Sequence, residues 1–136
     1  AFLLHEINSI MQFHELLENI SAFSDYIKEK YNLASFFVYE NKDIITLGMI
    51  EVPKADRKQG VGSSVMNELI NYADQNGKRI FLTPGLPDDR HGTTSKGRLV
   101  KFYKRFGFVE NKGRNKDFTL SPGMYRDPKT SVDINA

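Results

Sequence analysis

The feature that most constrains the fold is a β-rich run followed by a glycine turn, an amphipathic helix and a second β-rich run. The first run is DIITLGMIEV (43–52), and Pro53 ends it because proline cannot donate a hydrogen bond to a strand ladder. Apolar residues recur at helical spacing over 62–76, and the apolar run RIFLT (79–83) predicts a buried strand. Strand, helix and strand in succession predict a parallel pair inside a mixed sheet.

The residues before this unit predict a hairpin and further helices. ASFFVYE (34–40) is joined to 43–52 by the turn residues Asn41 and Lys42, and so short a connection predicts antiparallel pairing. A short strand is predicted over 2–7. Apolar residues at spacings of three or four between 8 and 30 predict two helices, with Ser21 as the cap of the second.

The residues after the unit predict a loop, a helix and a last hairpin. The segment PGLPDDRHGTTSKGR (84–98) is interpreted as a long polar loop of the kind that carries function or disorder. A helix follows from Leu99 and ends at Gly107, with its aromatic residues on one stripe. FVE (108–110) and DFTL (117–120) are predicted to pair as the final hairpin.

Together these elements predict one α/β domain over residues 1–126 and a C-terminal tail over 127–136. The expected sheet is mixed and mostly antiparallel, with a central parallel pair and helices on both faces. A chain of 136 residues is the size of one domain and buries roughly two-thirds of its unfolded surface.

Composition excludes several kinds of site. The absence of cysteine excludes thiolate nucleophiles, thiolate metal sites and disulfides, and His5 and His14 lack the spacing of metal ligands, so no metal is expected. No apolar run reaches the length of a membrane span, and no signal segment is recognised, so we expect a cytoplasmic protein without a membrane partner. Residues 77–116 carry eleven Lys and Arg against three Asp and Glu, which suits either an anionic ligand or a solvated face.

The glycine turn RKQGVGSS (57–64) has the composition of an anion site. Glycine lets a ligand approach the main chain, and the free amides and positive dipole end of a following helix attract negative charge. The string lacks the GK[ST] ending of a nucleotide P-loop. Val65 also stands where a dinucleotide fingerprint has its third glycine.

Two motifs carry a resemblance to a known family. Arg57 to Gly62 matches R/Q-x-x-G-x-G/A, and LVKFYKRFGFVE (99–110) ends a helix with Tyr103, Gly107 and Phe108 in the pattern Tyr-x-x-x-Gly-Phe. Both, in this strand order, resemble the GCN5-related N-acetyltransferase (GNAT) family over about residues 34–126. The tripeptide MYR (124–126) is similar to a C-terminal strand end in phage-type members.

The resemblance implies a GNAT-like fold, whose central parallel pair is splayed, and acetyl-CoA as cosubstrate. Main-chain groups near Ile50 and Val52 would bind the pantetheine arm, and Lys104 or Lys101 would meet a CoA phosphate. The residues implied at the pyrophosphate are Arg57, Lys58, Gln59, Gly60, Val61, Gly62 and Ser63.

The resemblance also implies direct attack of a primary amine on the thioester in a ternary complex. Tyr103 is the candidate general acid for the leaving thiolate, because of its place in the pattern Tyr-x-x-x-Gly-Phe, although its position on the apolar stripe also suits a core residue. Glu51, at the end of the strand that lines the site, is the candidate base. Asp88, Asp89 and His91 in the long loop are alternatives, and each also suits a solvated position.

Three hypotheses for the function remain open. One is an N-acetyltransferase for a small molecule, a peptide or a protein amine, and a homodimer is open with it. The second is a non-catalytic acetyl-CoA-binding module, since Lys96 stands where family members often carry asparagine. The third, nucleic-acid binding through the basic second half, is disfavoured because FYKRFGF turns its aromatics inward and its cations outward.

Overall fold

The structure is a computed structural model that describes residues 19–57, 59–85 and 96–129. Several predicted features lie outside this part of the chain. They are the strand over 2–7, the first helix, Lys58, His5, His14 and the loop residues Asp88, Asp89 and His91. The described helices are α1 (Ile20–Lys30), α2 (Val61–Gln75) and α3 (Lys96–Lys104). The described strands are β1 (Ser35–Asn41), β2 (Ile44–Glu51), β3 (Arg79–Leu82), β4 (Val109–Glu110) and β5 (Met124–Arg126).

The strands form one mixed sheet in the order β1-β2-β3-β5-β4. β1 and β2 are the predicted antiparallel hairpin, and β2 and β3 are the predicted parallel pair on either side of α2. β5 then lies antiparallel to both β3 and β4. The predicted single-domain α/β architecture, mostly antiparallel around a central parallel pair, is therefore confirmed.

The parallel pair separates half-way along β2. Its register runs from Ile44 opposite Arg79 to Leu47 opposite Leu82, and there β3 ends while β2 continues to Glu51. The register between β1 and β2 shifts at the same place, because Gly48 is an extra residue between the partners of Phe37 and Val38. Such a β-bulge bends and twists its strand. The bulge and the loss of pairing thus coincide at the point where β2 and β3 splay.

The two faces of the β1–β2 hairpin differ in exposure, since side chains alternate along a strand and paired residues share a face. One face carries buried side chains in the core with residues of α1 and α2, and we call it the helical face: Phe36, Val38, Ile45 and Leu47. The outer face carries Phe37, Tyr39 and Met49, which are 59%, 48% and 47% exposed. Because the bulge absorbs Gly48 as an extra residue, the side chains of β2 before and after it keep to the same two faces.

Local hydrogen bonds and backbone conformation set the ends of the helices, and one predicted cap is wrong. Asn19, not Ser21, caps α1, because its side-chain oxygen accepts hydrogen bonds from the amides of Ser21 and Ala22. α2 lies within one residue of its predicted bounds and is followed by Gly77 at φ +64°, which suits the left-handed position after a helix. α3 begins at Lys96, so Lys96 to Arg98, which the sequence predicts as the end of the polar loop, are helical.

The predicted hairpin between 108–110 and 117–120 is wrong. β4 pairs instead with β5, as Val109 opposite Tyr125 and Glu110 opposite Met124. The reason is Asn111, which is 4% exposed and holds the intervening loop. Its amide nitrogen lies 2.9 Å from the Ser121 carbonyl and also donates to two other loop carbonyls, while its oxygen accepts from the Asp117 amide at 2.6 Å.

The end of the described chain is fastened to α2. Arg126 is 6% exposed and forms an ion pair with Asp74 at 2.7 Å, and its Nε donates to the Phe106 carbonyl at 3.0 Å. The first residues of the predicted tail, 127–129, lie against the same region, since the Lys129 amide also donates to Asp74. Among the helices of the described chain, none has the length and apolarity needed to span a membrane.

Candidate functional site

The turn between β2 and α2 is held by hydrogen bonds to the two residues that follow β2. A single 3₁₀ turn covers Lys54–Asp56, and the Asp56 amide donates to the Pro53 carbonyl at 2.8 Å. The Nε of Arg57 donates to the Val52 carbonyl at 3.0 Å. Arg57 therefore fixes the turn against the strand, and its guanidinium is held half-buried beside the start of α2.

Gly60 begins α2 in a conformation that favours glycine. It is the N-cap at φ 77° and ψ 11°, and no side chain caps the helix there. The Ser64 amide makes the first helical bond, 3.0 Å to the Gly60 carbonyl. The amides of Val61 to Ser63 precede that bond and have no acceptor within the helix, so they add donors to the positive end of the helix dipole.

These groups line a concave cleft of about 210 Å³. Gly62 forms part of its wall, and a Cβ added there would lie 3.8 Å from Cζ of Phe102 on α3. The cleft therefore lies between the first turn of α2 and the side of α3. Its lining residues are Val52, Asp56, Arg57, Gly60, Val61, Gly62, Ser63 and Phe102.

Comparison with known proteins bears on the fold. No protein-family model and no curated protein matches the chain. Among solved structures, the chain is similar to the anti-CRISPR protein AcrVA5, with a TM-score of 0.51 and 24% identity, covering 66% of this chain and 85% of that one. This is a GNAT-like fold. Ard1 from Thermoplasma volcanium is also similar, with a TM-score of 0.47 and 21% identity, covering 69% of this chain and 62% of Ard1.

Most residues predicted for the pyrophosphate lie together in this GNAT-like fold. Arg57, Gly60, Val61, Gly62 and Ser63 all line the cleft. Gln59 is exposed beside it, and its side-chain amide reaches the Ala55 carbonyl at 3.5 Å.

Tyr103 lies on the buried side of α3. It is 9% exposed, and its ring packs edge-on against Phe102 at 5.2 Å and Phe108 at 5.9 Å between ring centroids. Burial raises the pKa of its hydroxyl above the usual value of 10.0, so the group stays protonated at neutral pH. The ring is therefore part of the core, and its neighbour Phe102 lines the cleft, while the role of Tyr103 as general acid stays a prediction.

Glu51 and Ile50 lie on opposite faces of the GNAT-like sheet. Ile50 pairs with buried Phe36 and so belongs to the helical face. Glu51 pairs with Ser35, whose hydroxyl donates to the Glu51 carboxylate at 3.2 Å. Val52 returns to the helical face, where it lines the cleft and its carbonyl accepts from Arg57.

The cations of α3 differ in their surroundings. Lys104 lies 3.2 Å from Glu110 on β4, so its charge already has a partner in the chain. Lys101 and Lys96 are exposed on the helix. The carboxylate of Glu110 is shared with Lys112, and these contacts lower its pKa, with the Lys104 hydrogen bond as the largest cause.

Two cleft residues were missed by sequence reasoning. Phe102 was assigned to the apolar stripe of its helix, but its ring also faces Gly62. Asp56 was not considered, although it stands next to Arg57 and lines the same cleft. The signal for Phe102 was its position beside Tyr103 in the second motif, whereas no local pattern marks Asp56.

Proposed function

We propose that this protein is an N-acetyltransferase that transfers the acetyl group of acetyl-CoA to a primary amine. The observation that carries the proposal is the cleft at the start of α2, which follows the end of β2 after that strand has separated from β3. A fold alone does not determine an activity, so the proposal is based on the chemistry of this site. The GNAT-like fold agrees with the proposal.

The donors of the cleft fit a pyrophosphate. Free amides at a helix N-terminus bind phosphate oxygens, and a guanidinium adds charge-assisted hydrogen bonds. Gly60 and Gly62 present those amides without side chains, and a Cβ at Gly60 would meet no atom within 4 Å, so the space in front of it is open. Arg57 would supply the positive charge and Phe102 an apolar wall.

Beyond Leu47, the strand β2 has edge groups that no longer pair with β3. An extended arm can bind such an edge as an added strand. Main-chain groups near Ile50 would hold the pantetheine arm in this way. The Val52 carbonyl already accepts a hydrogen bond from Arg57, so we assign Val52 chiefly to the apolar wall of the cleft.

Tyr103 would act on the leaving sulfur as a hydrogen-bond donor. A simple thiol has a pKa of about 8.5, below the raised pKa of the buried tyrosine, so complete proton transfer to a free thiolate is unfavourable. A hydrogen bond to sulfur that strengthens as the sulfur becomes negative still lowers the barrier. The base that takes the amine proton is assigned to Glu51.

The proposal is tested with purified protein in two assays. Acetyl-CoA is expected to raise the melting temperature, because it binds the folded state, and an amine panel is expected to yield free thiol, detected with a chromogenic disulfide. A thermal shift without thiol release from any amine would instead favour an acetyl-CoA-binding module. No thermal shift up to millimolar acetyl-CoA would refute the assignment of the cleft.

A further inference from the structure

The outer face of β1 and β2 presents an apolar strip that runs past the point where β2 and β3 separate. The ring centroids of Phe37 and Tyr39 are 5.6 Å apart, and Met49 is the cross-strand partner of Phe37. All three side chains are about half exposed or more, which is unusual for large apolar groups that lie side by side. The strip is therefore a candidate binding surface, which the cosubstrate cleft on the helical face does not use.

The ring of Phe37 lies over the β-bulge. An ideal Cβ on Gly48 would be 2.6 Å from Cδ1 of Phe37, so the ring occupies space that only a glycine leaves open. Gly48 follows Leu47, the last residue of β2 that pairs with β3. Phe37 thus stands at the edge of the opening between the two strands.

Glu51 is the charged end of the same strip. It shares the outer face with Met49, because the two residues are two positions apart, and the step between them is about 7 Å. Its carboxylate is half-buried and accepts a hydrogen bond from Ser35. A carboxylate at the end of an apolar strip complements an ammonium group attached to an apolar body.

We propose that the acceptor is a primary amine joined by a short link to an aromatic or large apolar group, and that it binds on the outer face. The amine would lie at Glu51 and the apolar group on Phe37 and Met49. This inference rests on the proposed acetyltransferase function, since it places the acceptor on the opposite side of the splay from the cosubstrate cleft.

The transfer balances without a further reactant. The amine nitrogen forms a bond to the acetyl carbon, and the carbon–sulfur bond breaks. Before the attack, Glu51 passes one proton of the bound ammonium to solvent, which leaves the neutral amine. After the attack the nitrogen gives up a second proton, and the departing sulfur takes up one proton and leaves as coenzyme A thiol. The opening between β2 and β3 is what would let the two substrates meet from opposite faces.

The test compares acceptors that differ only in the apolar group. With saturating acetyl-CoA, 2-phenylethylamine is expected to give at least tenfold higher kcat/KM than ethanolamine. A peptide with an N-terminal phenylalanine is compared with the same peptide starting with serine, which distinguishes a peptide acceptor from a small molecule. Preference for the aromatic member of either pair supports the inference, and equal or lower rates with the aromatic member of both pairs would overturn it.

Matched variants test whether Phe37 is the source of the preference for aromatic amines. Phe37→Ser is expected to raise the KM for 2-phenylethylamine at least tenfold while changing the KM for ethanolamine less than threefold. Phe118→Ser is the control, because Phe118 is 88% exposed and lies in the β4–β5 loop. An unchanged KM in Phe37→Ser, or an equal rise in Phe118→Ser, would overturn the inference.

The two proposals fail in different ways. If ethanolamine and other polar amines are acetylated but no aromatic preference is found, the acetyltransferase assignment stands and the acceptor class is wrong. If no amine in the panel releases thiol, both are overturned. Melting temperatures of the variants with acetyl-CoA show whether cosubstrate binding is intact, since neither substitution touches the cleft.

Discussion

Replacing Gly62 by alanine separates the stability of α2 from binding in the cleft. Gly62 is the second residue of the helix and is not among the glycines with positive φ, so alanine fits its backbone. The new methyl carbon would lie 3.8 Å from Phe102, an ordinary contact. Alanine is favoured over glycine by up to about 1 kcal/mol in a helix, less in the first turn, so the melting temperature should rise by roughly 1–3 °C.

The same methyl group should weaken acetyl-CoA binding. A phosphate oxygen that bonds to an amide lies about 2.9 Å from the nitrogen. A carbon atom in its path holds it at about 3.5 Å or more. Loss of one hydrogen bond to a charged group is worth about 1.5–3 kcal/mol, which corresponds to a roughly 10- to 150-fold higher Kd.

Isothermal titration with acetyl-CoA measures the loss of affinity, and thermal unfolding without ligand measures the gain in melting temperature. Ser64→Ala is the matched control, because Ser64 is exposed on the same helical turn and does not line the cleft. Gly60 is a poorer position for the test, since its φ of 77° would strain any other residue. A stable Gly62→Ala protein with the wild-type Kd would refute the assignment of the cleft as the pyrophosphate site.

Four further results are expected. Tyr103→Phe should lower kcat on the order of 10²-fold with little change in the KM for acetyl-CoA, because only the hydroxyl is removed. Asp56→Asn should tighten acetyl-CoA binding in titrations, because it removes a negative charge from the cleft wall. Asn111→Ala should lower the free energy of unfolding in urea by about 3 kcal/mol, because several loop groups lose their buried partner. Asp117→Asn should lose less stability in acid than the wild type, as measured by melting temperatures between pH 5 and pH 2.5.

The sign of the acid effect follows from the pKa of Asp117. Hydrogen bonds from the Thr119 hydroxyl and amide, together with Arg79, lower this pKa from 3.8 to about 2. The stabilisation is therefore complete above pH 3.8 and is lost as the pH falls towards 2. The carboxylate is near solvent, so the effect should be small, and an identical acid transition in Asp117→Asn would contradict it.

Controls accompany the other substitutions. Tyr39→Phe also removes a tyrosine hydroxyl, but from the exposed outer face, so it should leave kcat for a polar amine unchanged. Asn115→Ala lies in the same loop as Asn111 but is exposed, and it should unfold like the wild type. Equal kcat losses in the two tyrosine variants would contradict the role proposed for Tyr103. Equal unfolding free energies in the two asparagine variants would contradict the stabilising role of Asn111.

Local pattern predicted the centre of the fold well. The alternating run before Pro53, the helical periodicity after it and Gly77 place β2, α2 and β3 within a residue or two. These signals are strong because the segment is long and each end has its own residue chemistry. The glycines that begin α2 marked the cleft for the same reason.

The last third of the fold depended on contacts that no local pattern reveals. DFTL alternates like a strand, but Asp117 accepts hydrogen bonds from Thr119 and forms an ion pair with Arg79 far along the chain, which bends the segment into turns. β5 has only three residues, too few for periodicity to detect. In the site, Lys104 was assigned to a phosphate by its charge, and its pairing with Glu110 became visible only in the fold.

The extra residue at Gly48 also bears on how homologous chains should be aligned. Deleting Gly48 would restore regular pairing without exchanging the faces, because the pairs of Val38 with Leu47 and of Phe37 with Met49 would then follow each other directly. A single-codon gap there would remove the bend at the splay while leaving both sequence motifs and both faces of the hairpin intact. Relatives with such a gap should therefore be aligned through it with Glu51 and Val52 kept in register, and the width of their splay is where they should differ.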